Sequence, residues 1–341
     1  MITTTNKTEE HFLDMDLIKS MSTLSAVIYS LDFVLGVLGN GLVIWVTGFM
    51  MKKTVNTVWF LNLAIADFLF TAFLPLSVTY IALDFHWPFG KFMCKLNSTV
   101  SSLNMFASVY ILVVISVDRC VSVVLPVWAQ NHRTVRKASC VSLCAWVLAL
   151  ILSVPSFIFR DTTTHNSSSL QACFNNYTLS SDYGTPSVSH FRHQAMTITF
   201  FLLGFVVPFS IIVSCYAVII HRLRRSRTLA SQSSRSFKII TVTITAFFLC
   251  WAPFHIMRLI ELVHFSQTSI NLVKVITIGV PLATSLAFLN SCLNPLLYVF
   301  MGRDFKDKVR KSILSVLANA FQEDVSHPAT VSSQINELSM T

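Results

Sequence analysis

Seven long apolar stretches interrupt the polar background of this chain, over residues 24–49, 56–83, 94–122, 138–159, 194–220, 238–263 and 274–301. Each reaches the ~20 residues that an α-helix needs to cross the hydrocarbon core of a bilayer, so the pattern predicts an all-α bundle of seven transmembrane helices. Several stretches hide a polar residue at depth: Asp67 in the second, Asp118 and Arg119 closing the third, and Asn294 before Pro295 in the seventh. A charge at bilayer depth costs at least ~2.5–3.5 kcal/mol on insertion scales, so these side chains must face the bundle interior. That placement points to a bundle that switches, not to a passive anchor.

Composition agrees, since 53% apolar residues and a mean hydropathy of +0.64 exceed what a soluble domain of 341 residues can hide. Orientation follows from the loops. Lys52, Lys53, Arg133, Arg136, Lys137, Arg222, Arg224, Arg225, Arg227, Arg235, Lys238, Arg303, Lys306, Lys308, Arg310 and Lys311 all fall on one side, which is therefore expected to be cytoplasmic. The other side receives the N-terminus with its acids Glu9, Glu10, Asp14 and Asp16, and the Asn-x-Ser/Thr sites at Asn6, Asn166 and Asn176. A multi-pass plasma-membrane protein with an outside N-terminus and an inside C-terminus is expected, without a cleaved signal. The net charge of +9 is clustered on the basic side, which fits anionic lipid headgroups and an acidic protein partner and excludes nucleic acid as the partner class.

No internal repeat is visible, so the chain reads as one domain with two tails: an extracellular N-terminal tail over 1–23, the seven-helix domain over 24–301, and two cytoplasmic pieces. Over 302–317, Phe305, Val309, Ile313 and Leu317 recur among basic residues, as in an amphipathic helix lying on the membrane surface. Residues 318–341 are polar, with Ser326, Thr330, Ser332, Ser333, Ser339 and Thr341 open to kinases, and are expected to be disordered. Six cysteines lie in or at the ends of spans and read as small packing groups. Cys94 and Cys173 both lie on the outer side, where an oxidising compartment favours a bond that pins the loop before the fifth span across the bundle mouth; two unrelated thiols are the alternative.

Pro208, Pro253 and Pro295 lack the N–H that would bond the carbonyls of Gly204, Leu249 and Ser291, so each marks a hinge or a static kink. Asp67, Asn104, Ser108, Asn290, Ser291 and Asn294 place one carboxylate and several oxygens at similar depth, a hard-ligand set for Na⁺ or for ordered water. Arg119 either snorkels to headgroups or, with Asp118 and the basic loops, forms a docking socket. The stretch from Ser231 to Lys238 contains no acid, so no sixth-span carboxylate clamps Arg119, and a weakly latched resting state is expected. Asp32, among apolar residues of the first span, reads as a carboxyl bonded to a neighbouring helix, with ligand contact as the alternative. Asn97 sits in a nominal glycosylation motif but, three residues past Cys94, is expected to pack in the bundle.

These residues in this order resemble the rhodopsin family of G-protein-coupled receptors: Gly39-Asn40, LNLAIAD ending at Asp67, Asp118-Arg119-Cys120, Trp146, CWAP from Cys250 to Pro253, and NPLLY from Asn294 to Tyr298. The longer runs KTVNTVWFLNLAIADF, WPFGKFMCK, PVWAQNHRTVRKA, FFLCWAPFH and SLAFLNSCLNPLLYVFMGRDF are similar to the chemoattractant branch, near chemerin and formyl-peptide receptors. The resemblance implies activation-switch roles for Asp118, Arg119, Tyr216, Phe247, Trp251, Pro253, Asn294, Pro295 and Tyr298, and a loop disulfide between Cys94 and Cys173. It also implies an extracellular peptide or lipid chemoattractant, an inhibitory-class heterotrimeric G protein, and arrestin and receptor kinases at the C-terminal tail. Cys120 stands where most of the wider family has tyrosine, as the chemoattractant branch often does.

The candidate ligand residues are Ser102, Met105, Arg192, Met196, Phe200, His255, Arg258, Glu261 and Thr284. Formyl-peptide receptors carry an acid at the position of Ser102 and arginines at those of Met196 and Phe200, and chemerin-type receptors keep a basic residue at the last. Here all three are uncharged, so this wall gives an anionic ligand terminus no charge-assisted partner. Arg258 is the candidate carboxylate anchor; the alternative is an Arg258–Glu261 pair that only caps its helix. No catalytic set, metal-spaced histidine pair or Gly-rich phosphate loop argues for an enzyme, and no cofactor is expected beyond a candidate allosteric Na⁺ at Asp67, Asn104, Ser108, Asn290 and Asn294. A transporter or channel is the distinct alternative, opposed by the lack of broken helices and repeats; a non-signalling scavenger or sensory-tuned receptor of the same fold is the other, and the presence of Arg119, Tyr298 and the basic loops opposes a dead coupler.

Overall fold

A computed structural model describes residues 2–164, 170–178, 186–225, 234–266 and 270–301. The helices are α1 (Ile2–Trp45), α2 (Val55–Ala82), α3 (Gly90–Val124), α4 (Pro126–His132), α5 (Val135–Ile158), α6 (Pro186–Phe201), α7 (Val207–Arg225), α8 (Ser234–Ser266) and α9 (Ile270–Met301). Seven spans among the described residues are long and apolar enough to cross a membrane: Met15–Met50, Val55–Ala82, Gly90–Val124, Val135–Ile158, Ser187–Arg224, Ile240–Val263 and Leu272–Pro295. They match the seven apolar stretches. The surface helix expected over 302–317 and the tail over 318–341 lie outside the described residues.

α3 is the axis of the bundle, packing on α2, α5 and α7, while α1 lies against α2 and α9, and α8 against α9. Its long buried row, from Leu103 through Met105, Phe106, Val109, Leu112 and Ile115, is the spine of the main apolar cluster, which Phe247, Phe248 and Trp251 complete from α8. Trp146 of α5 donates its indole N–H to Asn62 Oδ1 of α2 at 2.9 Å, satisfying both polar groups inside an apolar seam.

α1 runs unbroken through most of the stretch expected as an N-terminal tail. The physical reason is local: no glycine or proline occurs before Gly36, so nothing in 2–35 interrupts a helix once the apolar span nucleates it. Two helices contain π-helical turns: α1 closes on one at Val46–Met50, before the extended Met51, and α6 runs on into α7 through one at Leu202–Val206. The second lies just ahead of Pro208, whose ring would collide with the carbonyl of Gly204 in a regular helix, and the widened turn absorbs that misfit. Tyr110 of α3 donates its hydroxyl to the Leu203 carbonyl in this turn at 3.1 Å.

The loop before α6 contains two antiparallel strands, β1 (Arg160–Thr164) and β2 (Gln171–Asn175), with Thr162 opposite Cys173. Cys173 is bonded to Cys94 at the head of α3, with Cα atoms 5.9 Å apart. Lys91 Nζ pairs with Asp161 at 2.8 Å, and the backbone N–H of Trp87 donates to the Gln171 carbonyl at 2.7 Å. Lys95 donates to the terminal carbonyls of α5, Phe157 at 2.8 Å and Ile158 at 3.2 Å, so a cation satisfies orphan acceptors at a negative helix end. Together these contacts fasten the hairpin over one mouth of the bundle.

Candidate functional site

Beneath the hairpin lies a cavity of about 340 Å³. Its floor is apolar and aromatic, with Met105, Phe200, Trp251, Phe254 and Phe288, and its upper wall is polar, with Arg160, Asn175 and Arg258. Seven of the nine sequence candidates line it: Ser102, Met105, Met196, Phe200, His255, Arg258 and Thr284. Ser102 and Ser156 share a hydrogen bond of 2.6 Å, which fixes two small hydroxyls on the α3–α5 side. His255 is buried among Phe205, Trp251 and Phe254, with ring centroids 5.2, 6.2 and 5.7 Å away.

The remaining two candidates stand above the cavity. Arg192 donates to the Tyr177 carbonyl at 3.2 Å. Glu261 pairs with Arg258 at 2.6 Å, and the two border an upper cleft of about 450 Å³ with Tyr177 and His193. Arg258 therefore reaches the cavity with its charge already matched, the arrangement in which the pair is mutually satisfied.

Arg160 was not singled out by the sequence, yet it contributes the cavity's unmatched charge. Its guanidinium donates to Asn175 Oδ1 at 2.8 Å and to the disulfide sulfur of Cys173 at 3.3 Å, both neutral acceptors. No carboxylate among the described residues pairs with it; its neighbour Asp161 turns instead to Lys91. Burial makes the charged guanidinium harder to hold, the Tyr80 ring opposes that, and the nearby Arg258 charge adds to it. An arginine stays protonated all the same, so this is a partly buried cation held by weak partners. The signal in the sequence was a lone basic residue just past the fourth span, thirteen positions before Cys173.

Below the cavity, Trp251 contacts Phe247 at 5.9 Å between centroids and Phe254 at 5.5 Å, forming an aromatic stack that continues from the floor into the main core. Pro253 lies inside α8 beside this stack.

Deeper, Asp67 is fully enclosed and accepts from Asn104 Nδ2 at 2.9 Å and from Asn294 Nδ2 at 2.7 Å. Ser291 Oγ donates to Asn104 Oδ1 at 3.4 Å. The Ser291 carbonyl, which Pro295 leaves without a helical donor, accepts Asn40 Nδ2 of α1 at 2.9 Å. Gly39 makes this close approach feasible, since a Cβ there would sit 3.0 Å from the Pro295 ring. Ser108 Oγ and Asn290 Oδ1, each one turn from a residue that touches Asp67, are buried without a hydrogen-bond partner among the described residues. Asp32 is also buried, with the Cys292 thiol donating to its backbone carbonyl at 3.2 Å.

At the far end of α3, Arg133 grips Asp118 with two hydrogen bonds of 2.8 Å. Asn56 Oδ1 of α2 accepts from both Arg119 and Arg133, each at 2.6 Å. Tyr216 of α7 lies within electrostatic range of Arg119. Tyr298 belongs to α9, and its side chain falls outside those described. Among the glycosylation candidates, Asn176 accepts from the Thr178 backbone N–H at 3.0 Å, while Asn166 and the side chain of Asn6 lie outside the described residues. Asn97 is packed in the bundle, donating to Ser77 Oγ at 3.4 Å on the cavity wall.

A seven-helix bundle with a covered cavity at one mouth, an aromatic stack beneath it and a charged cluster at the other end defines a membrane receptor. The chain belongs to the 7 transmembrane receptor (rhodopsin family), whose model matches residues 39–298. It is 51% identical over 306 residues to Chemerin-like receptor 1 of Rattus norvegicus, covering 87% of this chain and 80% of that receptor. Chemerin-like receptor 2 of Homo sapiens is 43% identical over 313 residues, 92% of this chain and 85% of the relative. The C3a anaphylatoxin chemotactic receptor of Oncorhynchus mykiss is 43% identical over 316 residues, 93% and 84% of the two chains. This is a G-protein-coupled receptor of the chemoattractant branch, a multi-pass membrane protein and not an enzyme.

Proposed function

We propose that the receptor lies in the plasma membrane with its hairpin end outside and reads a chemoattractant that carries a carboxylate, either a chemerin-like peptide or an acid-terminated lipid mediator. The observation that carries this reading is Arg160, a cation on the cavity's upper wall whose partners among the described residues are all neutral. An apolar body fits the aromatic floor while the acid completes the guanidinium above it. This relocates the anchor: the cation that relatives place at the position of Phe200 is replaced by one from the loop side. Arg258, paired with Glu261, then shapes the entrance.

Signalling through an inhibitory-class G protein is the proposed output, at the end bearing Asp118, Arg119 and the basic loops, with arrestin and receptor kinases acting on residues 318–341. The names of the relatives support a chemotactic role. Asp67 with Asn104, Ser108, Asn290 and Asn294 fits an allosteric Na⁺, because the buried oxygens of Ser108 and Asn290, one turn from the two amides that touch the Asp67 carboxylate, have no hydrogen-bond partner among the described residues. Bound there, the ion would neutralise Asp67.

The test is a calcium or cyclic-nucleotide assay, with and without pertussis toxin, on chemerin fragments and oxidised lipids supplied both as free acids and as amides or esters. Free acids are expected to be at least about tenfold more potent than the capped forms, the ratio for one charge-assisted contact, and the toxin to abolish the response. Equal potency of acid and capped forms defeats the anchor, and a toxin-insensitive response defeats the coupling.

A further inference from the structure

A second cavity, of about 370 Å³, opens sideways at the Asp118 end, between α3, the short α4 and the start of α5. Val113, Val117, Val121 and Val141 form its apolar wall, and Trp128 flanks it from α4. Val117 and Val141 are each 41% exposed and Trp128 52%, so the wall is accessible from the surrounding bilayer and not sealed inside the bundle. Its rim is basic, formed by His132, Arg133 and Lys137. The acid on this rim, Asp118, has both oxygens committed to Arg133. Lys137 is exposed and Trp128 stacks on His132 at 4.7 Å, an amphipathic pair of the kind found at the headgroup level.

We propose that this cavity binds an anionic phospholipid, with one acyl chain between the valines and the net-negative headgroup on Lys137 and His132. The inner leaflet as its source rests on the orientation proposed above. An apolar slot alone would accept any lipid tail; the cationic rim supplies the choice of headgroup. The site also has a route to function, because a phosphate that draws on Arg133 competes with Asp118 for the same guanidinium and loosens the cluster that holds Arg119.

The experiment uses the full-length receptor in nanodiscs of phosphatidylcholine, doped with phosphatidylserine or phosphatidylcholine bearing the same photoreactive acyl chain, followed by peptide mapping. Phosphatidylserine is expected to label residues 113–121 and 128–141 about fivefold more than phosphatidylcholine does, the ratio for one lysine at a membrane surface. Lys137→Gln, an exposed change that leaves the fold alone, should erase that preference, and Val141→Trp should remove labelling by both lipids at an unchanged melting temperature. Equal labelling by the two headgroups, a preference that survives Lys137→Gln, label spread evenly over the lipid-facing helices, or a second receptor copy cross-linked at this face would each overturn the proposal. Tag accessibility in sealed vesicles reports the orientation separately, so an inverted receptor with intact labelling changes the leaflet and not the site.

Discussion

Replacing Arg160 by glutamine tests the cavity's chemistry most directly, because glutamine keeps much of the side-chain length and a donor for Asn175 while deleting the charge. In the free protein Arg160 uses Nε and Nη1 on Cys173 and Asn175, leaving the rest of the guanidinium fork for a ligand carboxylate. A hydrogen bond to a charged group contributes ~1.5–3 kcal/mol, and the cavity is open to water at its mouth, so the lower end, ~1.5–2 kcal/mol, is the working figure after screening. At 1.4 kcal/mol per factor of ten, affinity for an acid ligand should fall about 10- to 30-fold. Arg258→Gln removes a cation that Glu261 already neutralises at 2.6 Å, and its loss should fall about equally on acid and amide ligands.

Competition binding of matched acid and amide ligands to both variants makes a double-mutant cycle, in which general damage to the site cancels. The acid-over-amide preference should vanish in Arg160→Gln and persist in Arg258→Gln. A second readout has the opposite sign. A partly buried guanidinium without a counter-charge destabilises the unliganded fold, so Arg160→Gln should raise the melting temperature of the empty receptor while weakening acid binding. If Arg160→Gln lowers acid and amide affinity by the same factor, or if Arg258→Gln is the variant that abolishes the preference, the charge argument is wrong.

Asn40→Ala strips the Ser291 carbonyl of its donor and should cost ~1–3 kcal/mol, the penalty for a buried acceptor left unpaired, read as a lower melting temperature; an unchanged value would mean that water replaces the amide. Arg133→Gln frees Asp118 from its bidentate grip, and because that pair is partly exposed its loss should favour the active form by only ~1 kcal/mol, raising agonist-free nucleotide exchange about fivefold; no rise would remove Arg133 from the latch. Burial pushes the Asp161 carboxyl up, but Lys91, the Thr162 N–H and Asn176 outweigh it and hold it below its ordinary value of 3.8. A depressed carboxyl stabilises fully above that ordinary value and loses its contribution as pH falls through the folded one. Proteolysis of the hairpin should therefore stay constant from neutral pH down to the carboxylate range and accelerate below it, with Lys91→Met flattening the acid limb. Sodium should shift agonist affinity in the parent receptor and not in Asp67→Asn; an undiminished shift in the variant would place the ion elsewhere.

The spans were legible because insertion into hydrocarbon depends on apolar length, a property of contiguous sequence; six of the seven begin within about eight residues of the apolar stretches. The hairpin was not, since β1 and β2 are five residues each and a polar segment separates them, below the reach of a reading tuned to twenty-residue windows. Thr162, Thr163 and Thr164, a β-branched run just past a span, were the available signal. The consequence of Pro295, a carbonyl without its donor, could be stated from sequence, whereas its partner Asn40 lies 251 residues from Ser291 and is found only by packing α1 on α9.

Asp67 was singled out by the sequence and Arg160 was not, yet the two pose the same physical problem. Asp67 is a charge enclosed in the bundle and Arg160 one that is partly withdrawn from water, and a protein selected for stability alone would surround each with internal partners of opposite sign. Around Asp67 the helices supply amide donors but leave surplus acceptors at Ser108 and Asn290, a deficit of positive charge. Around Arg160 the hairpin supplies neutral acceptors, and the described residues leave the positive charge unpaired. The two deficits have opposite sign and lie along the same interior, one at the mouth and one deeper beyond the aromatic stack of Trp251 and Phe247. A cation that fits the deeper one and an anion that fits the outer one can each bias how α8 and α9 pack against α3, so ligand and ion are expected to influence each other through that shared packing.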